Sequence, residues 1–211
     1  MALQLGDEAP DFVADSTQGT INFHDWKRDH WALLFSHPED FTPVCTTELG
    51  AAAVLKEEFE QRDTKLLAVS VDPLDSHYRW LGDIEDLTGC AVNFPIVADP
   101  NRWIASLYGL IHPDATGKQA ARMAFLVDPH NRVRLLLVYP PSTGRNFREL
   151  LRALDSLQVA DAHGVATPAG WEKGQDVIIP VGVRDEEARR RFPKGFTARR
   201  PYFRVTPQPD D

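Results

Sequence analysis

The residues best suited to chemistry lie in segment 38–48, which reads PEDFTPVCTTE. The segment places Cys45 where an apolar run ends and a helix is predicted to begin. The N-terminus of a helix offers unpaired N–H groups and partial positive charge, so it stabilises the thiolate, the reactive form of cysteine. Thr42 can place a hydroxyl beside the sulfur, and Pro38 and Pro43 restrict the backbone that approaches it. These residues predict a nucleophilic thiol rather than a cysteine that only fills the core.

Two elements must hold this thiol in place. The apolar run 31–35 precedes the segment and predicts a buried strand in a covered sheet. After the cysteine, apolar residues recur at helical spacing and predict one amphipathic helix: Leu49, Ala52, Leu55 and Phe59. The thiol would then lie at the carboxyl end of a strand, where open α/β sheets usually carry their active sites.

The spacing of Pro38, Thr42 and Cys45 resembles the active-site signature of the peroxiredoxins, a proline followed by a threonine or serine and then a cysteine. Other segments resemble the one-cysteine subgroup of this AhpC/TSA family. Arg122 precedes an apolar run where the family carries an arginine, and Arg145 lies in a segment like the subgroup's second arginine segment. The resemblance covers nearly the whole chain, including C-terminal segments 165–171 and 192–195.

The resemblance implies a fold and a domain organisation. It predicts an α/β, thioredoxin-like fold of the peroxiredoxin type with a small C-terminal extension domain. Residues 1–166 would form the peroxidase domain, and residues 167–211 would form the extension at a dimer interface. The abundance of proline and the lack of long periodic segments after about residue 167 favour the same division.

The resemblance also assigns roles to residues. Cys45, Thr42 and Arg122 would be catalytic. Four residues would support the reaction or bind substrate: Pro38, His37, Glu48 and Arg145. For His37 two roles stay open, contact with the peroxide or sulfur and a hydrogen-bonded position behind them. Glu48 would orient an arginine, and Pro38 would shield the thiolate from water.

The predicted function is that of a thiol-specific peroxidase. A thiolate attacks one oxygen of hydrogen peroxide or an organic hydroperoxide, giving a cysteine sulfenic acid and water or an alcohol. Antioxidant defence and redox homeostasis follow from this activity. The alternative is a peroxide sensor or holdase in which oxidation of Cys45 changes assembly.

The second cysteine decides the type of catalytic cycle. Cys90 lies near Gly89 without any comparable motif, and no cysteine follows it in the sequence. We therefore interpret Cys90 as a structural or incidental thiol and predict a one-cysteine mechanism. An external thiol such as thioredoxin or glutathione would reduce the sulfenic acid.

Composition and sequence patterns also indicate which binding partners and which cellular compartment to expect. A net charge of −8 argues against nonspecific binding to nucleic acid or to anionic membranes. No zinc-spaced Cys/His set and no phosphate-binding loop occur, so we predict neither metal nor cofactor. The N-terminal residues do not resemble a signal peptide, and two cysteines suit a reducing compartment, so we predict a cytoplasmic protein. The family implies a homodimer, and a ring of dimers stays open.

Two local predictions concern the elements after the cysteine helix. Asp75 or Ser76 is predicted to cap the next helix, which Gly89 would end. The run 94–97 is interrupted by a proline, so it predicts an edge strand or an irregular one.

Overall fold

The structure is a computed structural model that describes residues 3–111 and 120–210. The chain divides into two compact units, Met1–Phe147 and Arg148–Asp211. The domain boundary predicted at residues 166 and 167 stays a prediction.

The first unit is built on a mixed β-sheet. Its strands are β1 (Val13–Ser16), β2 (Gly19–Asn22), β3 (Trp31–Ser36), β4 (Thr64–Ser70), β5 (Ile96–Ala98), β6 (Arg122–Val127) and β7 (Val133–Tyr139). Their order in the sheet is β2-β1-β5-β4-β3-β6-β7. The helices of this unit are α1 (Phe23–Lys27), α2 (Pro43–Val54), α3 (Lys56–Glu60), α4 (Leu74–Thr88) and α5 (Trp103–Leu107). The α/β class predicted from the sequence is confirmed.

The strand before the cysteine lies near the middle of the sheet and is buried along its whole length. β3 pairs in parallel with β4 and antiparallel with β6. Successive side chains of a strand point to opposite faces. Accordingly, Leu34 belongs to the core that includes Phe12 and Tyr108, whereas the ring of its neighbour Phe35 packs edge-on against Phe94. Because both faces of the strand are covered, the side chains on both faces are apolar, and residues 31–35 form a continuous apolar run.

The helix predicted after the cysteine is interrupted once. α2 ends before Leu55, where φ is −94° and ψ is 1°, and α3 starts at Lys56. The amide of Leu55 donates to the carbonyl of Ala52, the tighter pattern of a 3₁₀ turn. The predicted apolar face is nonetheless correct, because its members are buried: Leu49, Ala52, Leu55 and Phe59.

The predicted cap of α4 is wrong, although its predicted end is correct. The helix starts at Leu74, so Asp75 and Ser76 lie inside its first turn. The carbonyl of Pro73 accepts the amide hydrogen of Ser76, and the helix starts two or three residues earlier than a cap at Asp75 or Ser76 would place it. Gly89 ends the helix in the left-handed conformation with a φ of 72°.

Of the two alternatives predicted for the run 94–97, an edge strand or an irregular one, the edge position is wrong. β5 lies inside the sheet, between β1 and β4. Pro95 precedes the strand, and its carbonyl accepts the amide hydrogen of Ala68 at 3.1 Å. The proline therefore extends the pairing with β4 through its oxygen, and its missing N–H removes no bond from the strand.

The second unit has its own small sheet and core. Its elements are α6, which runs from Phe147 to His163, β8 (Val177–Ile178), α7 (Asp185–Arg191), β9 (Thr197–Arg200) and β10 (Phe203–Thr206). The strands are ordered β8-β10-β9. A buried apolar cluster, to which Val159, Trp171, Ile179 and Phe192 belong, forms the core of this unit.

In the parts of the chain that the structure describes, no helix combines the length and the apolar character needed to cross a membrane.

The close approach of α2 to α4 generates the first prediction. A Cβ atom on Gly50 would lie 2.6 Å from the side chain of Thr88, including its Cβ, so the two helices would have to separate. We expect Gly50→Ala to lower the free energy of unfolding by about 1–3 kcal/mol, as overpacking usually does. Urea denaturation at pH 7 measures this change.

The matched control is Gly82→Ala on α4, where a Cβ would meet nothing within 4 Å. This change should raise stability by about 0.5–1 kcal/mol, because alanine favours helix more than glycine does. Equal effects of the two substitutions would contradict the proposed helix contact.

Candidate active site

The loop between β3 and α2 carries the predicted motif. His37 continues the pairing of β3, because its amide donates to the carbonyl of Val69 at 3.1 Å. Pro38 follows and is buried. Phe41 has a φ of 55°, a left-handed conformation that is uncommon outside glycine, and its side chain is half exposed. Thr42 is extended, and Pro43 is the first residue of α2, a position where its missing N–H costs nothing.

Cys45 is the third residue of α2 and is fully buried. The hydroxyl of Thr42 donates to the carbonyl of Glu39 at 2.9 Å. Within the described residues it makes no capping bond to the first turn of the helix. The first-turn amides around Cys45 therefore lack the usual side-chain cap, and such amides favour negatively charged groups.

The carboxylate of Glu48 joins the two predicted arginines. Glu48 lies one helical turn after Cys45 on the same face of α2, since residues three apart on a helix are neighbours. Its Oε2 accepts from Nη1 of Arg122 at 2.6 Å and from Nη2 of Arg145 at 2.8 Å. Its Oε1 accepts from Nε of Arg145 at 2.8 Å and from the amide of Arg145 at 2.7 Å. All three side chains are buried.

Further contacts fix the direction of each guanidinium. Nε of Arg122 donates to the carbonyl of Pro141 at 3.0 Å, and Nη1 of Arg145 donates to the carbonyl of Met123 at 2.6 Å. The guanidinium of Arg145 lies 5.2 Å from the centre of the Phe35 ring. Arg122 is the first residue of β6, so its backbone is held by the sheet. These contacts hold both cations in defined orientations.

The cluster carries excess positive charge. Two guanidinium groups against one carboxylate leave one net positive charge in a buried place. Burial alone would raise the pKa of Glu48, but the hydrogen bonds and charge of Arg145, with the charge of Arg122, hold its pKa below the usual range. Glu48 is therefore ionised at neutral pH, and the site can stabilise added negative charge.

His37 lies in a separate hydrogen-bonded group. Its Nε2 is 2.8 Å from Oδ1 of Asp40, and Oδ2 of Asp40 is 2.7 Å from Nδ1 of His77 on α4. All three residues are buried. The sequence reasoning missed Asp40 and His77. Asp40 lay inside the motif and could have been noticed, whereas nothing in the sequence pairs His77 with it.

The structure thus distributes the predicted site residues among separate groups. It brings Glu48, Arg122 and Arg145 into direct contact, and it places Glu48 one helical turn from Cys45. Cys90 follows the end of α4, outside these groups, and is half-buried. Both thiols are free in the described residues.

Comparisons with known proteins identify the family of this chain. The AhpC/TSA family matches residues 5–136, and the C-terminal domain of 1-Cys peroxiredoxin matches residues 156–195. The chain is 50% identical to a 1-Cys peroxiredoxin of Dictyostelium discoideum over 99% of this chain and 86% of that protein. The chain belongs to the peroxiredoxin family.

Two solved structures of peroxiredoxins have a closely similar fold. A cysteine-to-serine mutant of peroxiredoxin 6 of Arenicola marina has a TM-score of 0.91, 41% identity and complete coverage of both chains. The yeast mitochondrial 1-Cys peroxiredoxin has a TM-score of 0.91 and 43% identity, covering 97% of this chain and 99% of its own. That structure concerns resolution of the thiol by the glutathione and thioredoxin systems.

These relatives define the activity class. This peroxiredoxin is a thiol-dependent peroxidase, an oxidoreductase with a single catalytic cysteine and an external thiol reductant. The sensor or holdase alternative is not favoured.

The buried cluster generates the second prediction. Glu48→Gln removes the charge that both arginines need, and we expect a loss of about 3–5 kcal/mol in the free energy of unfolding at pH 7. The folded-state pKa of Glu48 is lowered, so the stabilisation is complete above the unfolded pKa of about 4.3. It is lost as the pH falls through the folded pKa, and the difference between wild type and variant should shrink below about pH 4.3.

Urea unfolding between pH 7 and pH 3.5 measures this difference. The control is Asp75→Asn, whose ion pair with Arg79 is exposed and should contribute less than about 1 kcal/mol. A Glu48→Gln variant as stable as this control at pH 7 would show that the buried pairing does not support the fold.

Proposed function

We propose that Cys45 is the residue that reduces hydrogen peroxide and organic hydroperoxides, with Thr42 and Arg122 completing the catalytic group. The observation that carries the proposal is the buried, net-positive cluster of Glu48, Arg122 and Arg145, anchored one helical turn from Cys45. Peroxide reduction builds negative charge on the leaving oxygen, and fixed cations stabilise such charge without reorganising.

The proposed reaction is a displacement at oxygen. The thiolate sulfur of Cys45 attacks one peroxide oxygen, the S–O bond forms and the O–O bond breaks. The sulfur loses two electrons and becomes the sulfenic acid, and the peroxide is reduced. The leaving oxygen departs as hydroxide or alkoxide and takes a proton from water, giving water or an alcohol.

The neighbouring residues have distinct proposed roles. The hydroxyl of Thr42 donates to the peroxide or the sulfur once it leaves the carbonyl of Glu39. Arg122 donates to the peroxide oxygens, and Arg145 supports it by sharing Glu48. Buried Pro38 shields the thiolate from water, and His37 supports the reaction from the end of β3.

The proposed cycle closes with an external thiol, either thioredoxin, glutathione or a similar reductant. The yeast mitochondrial relative is described with the glutathione and thioredoxin systems, which supports the same reductants here. Cys90 takes no part in this cycle. We propose that the enzyme works in the cytoplasm, in antioxidant defence and redox homeostasis, without metal, cofactor, nucleic acid or membrane.

We also propose that the enzyme is a homodimer. β7 is the last strand of the sheet, so one of its edges is unpaired within the sheet. Its sequence, VRLLLVY, is mostly apolar. Val138 on this strand is 59% exposed. An apolar edge strand invites pairing with another strand, and a second copy of β7 would satisfy it. In this proposal the extension 167–211 also contributes to the dimer interface, and dimers could join into a ring.

The third prediction tests the nucleophile. We expect Cys45→Ser to abolish peroxide turnover with dithiothreitol as reductant, because no thiolate remains to attack. Cys90→Ser should keep full turnover. A ferric xylenol-orange assay for remaining peroxide measures both variants. Turnover that survives Cys45→Ser, or disappears with Cys90→Ser, would exclude the one-cysteine mechanism.

The fourth prediction tests the hydroxyl. Thr42→Val keeps the shape of the side chain and removes its donor, so the rate constant for Cys45 oxidation should fall about 100-fold or more. The matched control is Thr47→Val on the same helix, where the exposed hydroxyl only donates to the carbonyl of Val44. Stopped-flow tryptophan fluorescence measures the rates. Similar rates for both variants would remove Thr42 from the proposed catalytic group.

A further inference from the structure

A buried hydrogen-bonded group accompanies the loop that leads to Cys45. Asp40, in this loop, lies between two histidines, 2.8 Å from Nε2 of His37 and 2.7 Å from Nδ1 of His77. His37 follows β3, and His77 belongs to α4. Both histidines are fully buried and Asp40 is nearly so. Two segments that are distant in sequence, the loop after β3 and helix α4, therefore meet at one carboxylate.

The hydrogen bonds determine where the protons are. Burial would raise the pKa of Asp40, but the hydrogen bonds of His37 and His77 hold its pKa well below the usual range. An ionised carboxylate only accepts hydrogen bonds, so His37 must carry a proton on Nε2 and His77 must carry one on Nδ1. Burial lowers the pKa of His37, which is therefore neutral at pH 7. A neutral imidazole protonated on Nε2 has a lone pair on Nδ1.

That lone pair has no partner among the residues that the structure describes. Nδ1 of His37 makes no hydrogen bond to any residue that the structure describes, although it is buried. Buried polar atoms are usually satisfied, so an unsatisfied acceptor calls for an explanation. The proposed reaction brings two hydrogen-bond donors to the site. The first is the O–H of the bound hydroperoxide, and the second is the O–H of the Cys45 sulfenic acid that the reaction forms.

We propose that Asp40 and His77 are positioning residues that keep His37 in the Nε2–H tautomer, so that its Nδ1 accepts a hydrogen bond from the peroxide or the sulfenic acid. The proposal rests on the proposed function, in which His37 supports the reaction at Cys45. It adds His77, a residue outside the cysteine motif, to the groups that control that reaction.

The same three residues have the composition of a divalent-metal site. A metal bound at the nitrogens that face Asp40 would force the protons onto Nδ1 of His37 and Nε2 of His77. Neither atom has an acceptor among the residues described, whereas metal-bound histidines normally donate their other N–H. The arrangement therefore fits a pair of protons shared with Asp40 better than a metal ion.

The backbone of Asp40 is also held by a hydrogen bond. Its amide donates to Oδ2 of Asp72 at 3.0 Å, and the hydroxyl of Ser70 donates to the same oxygen at 2.5 Å. The next residue, Phe41, has the left-handed φ of 55°. Strained backbone persists where the surrounding structure holds it in place. Here the hydrogen bonds of the Asp40 carboxylate and amide hold the residue that precedes Phe41.

The first test uses the wild-type enzyme. Nuclear magnetic resonance of protein labelled with ¹⁵N-histidine distinguishes the tautomers by the shifts of the two ring nitrogens, with His37→Gln used to assign the signals. We expect His37 to be neutral and protonated on Nε2 at pH 7. A proton on Nδ1, or a doubly protonated ring, would overturn the proposal.

The second test uses a matched pair of variants. His77→Leu removes the donor to Asp40, whereas His77→Asn places an amide N–H near the position of Nδ1. Outer-shell partners of metal-ligating histidines typically contribute 10- to 100-fold, and by analogy we expect His77→Leu to slow Cys45 oxidation by hydrogen peroxide about tenfold. His77→Asn should recover most of the rate. His130→Leu, at an exposed loop position, should not change it.

The outcomes separate the two proposals. If wild-type Cys45 does not react with peroxide, the proposed function fails. If it reacts and His77→Leu reacts equally fast, or if His77→Asn is as slow as His77→Leu, only the role of His77 fails. A tenfold loss with His77→Leu, its recovery with His77→Asn and the Nε2–H tautomer in the wild type together support the proposal.

Discussion

One buried carboxylate organises the proposed active site of this peroxiredoxin. Glu48 binds the side chain and the amide of Arg145 and the side chain of Arg122, with little exposure to solvent. Removing one member of such a cluster leaves a buried charge without its partner, so the arrangement resists distortion. Both guanidiniums are oriented before a peroxide arrives, and preorganised charge is what a reaction that creates an oxyanion requires.

The fold brings these residues together from distant parts of the chain. Glu48 and Cys45 share one face of α2, Arg122 starts β6, and Arg145 follows the hairpin of β6 and β7. β3, which leads into the cysteine loop, pairs directly with β6. The central strands of the sheet thus fix the distance between the nucleophile's helix and the cations. The small C-terminal unit has its own core.

The sequence predicted those elements whose burial or ends depend on residues nearby in the chain. The buried strand β3, a helix that begins around Cys45 and the helix end at Gly89 each have a nearby chemical cause. The inner position of β5 could not be predicted, because strand order depends on pairing with β1 and β4. An arginine before a strand has no signature of its own, so the roles of Arg122 and Arg145 rested on family resemblance. The partnership of Asp40 with His77 depends on tertiary packing and left no pattern in the sequence.

The central claim is that Glu48 acts on catalysis by holding Arg122, and a double-mutant cycle tests it most directly. The measurement is the second-order rate constant for oxidation of Cys45 by hydrogen peroxide in the wild type, Glu48→Gln, Arg122→Met and the double variant, each confirmed as folded at pH 7. The account predicts that both single variants are slow and that Glu48→Gln causes little further loss once Arg122 is gone. Losses that simply multiply would contradict it, because Glu48 and Arg122 would then act independently.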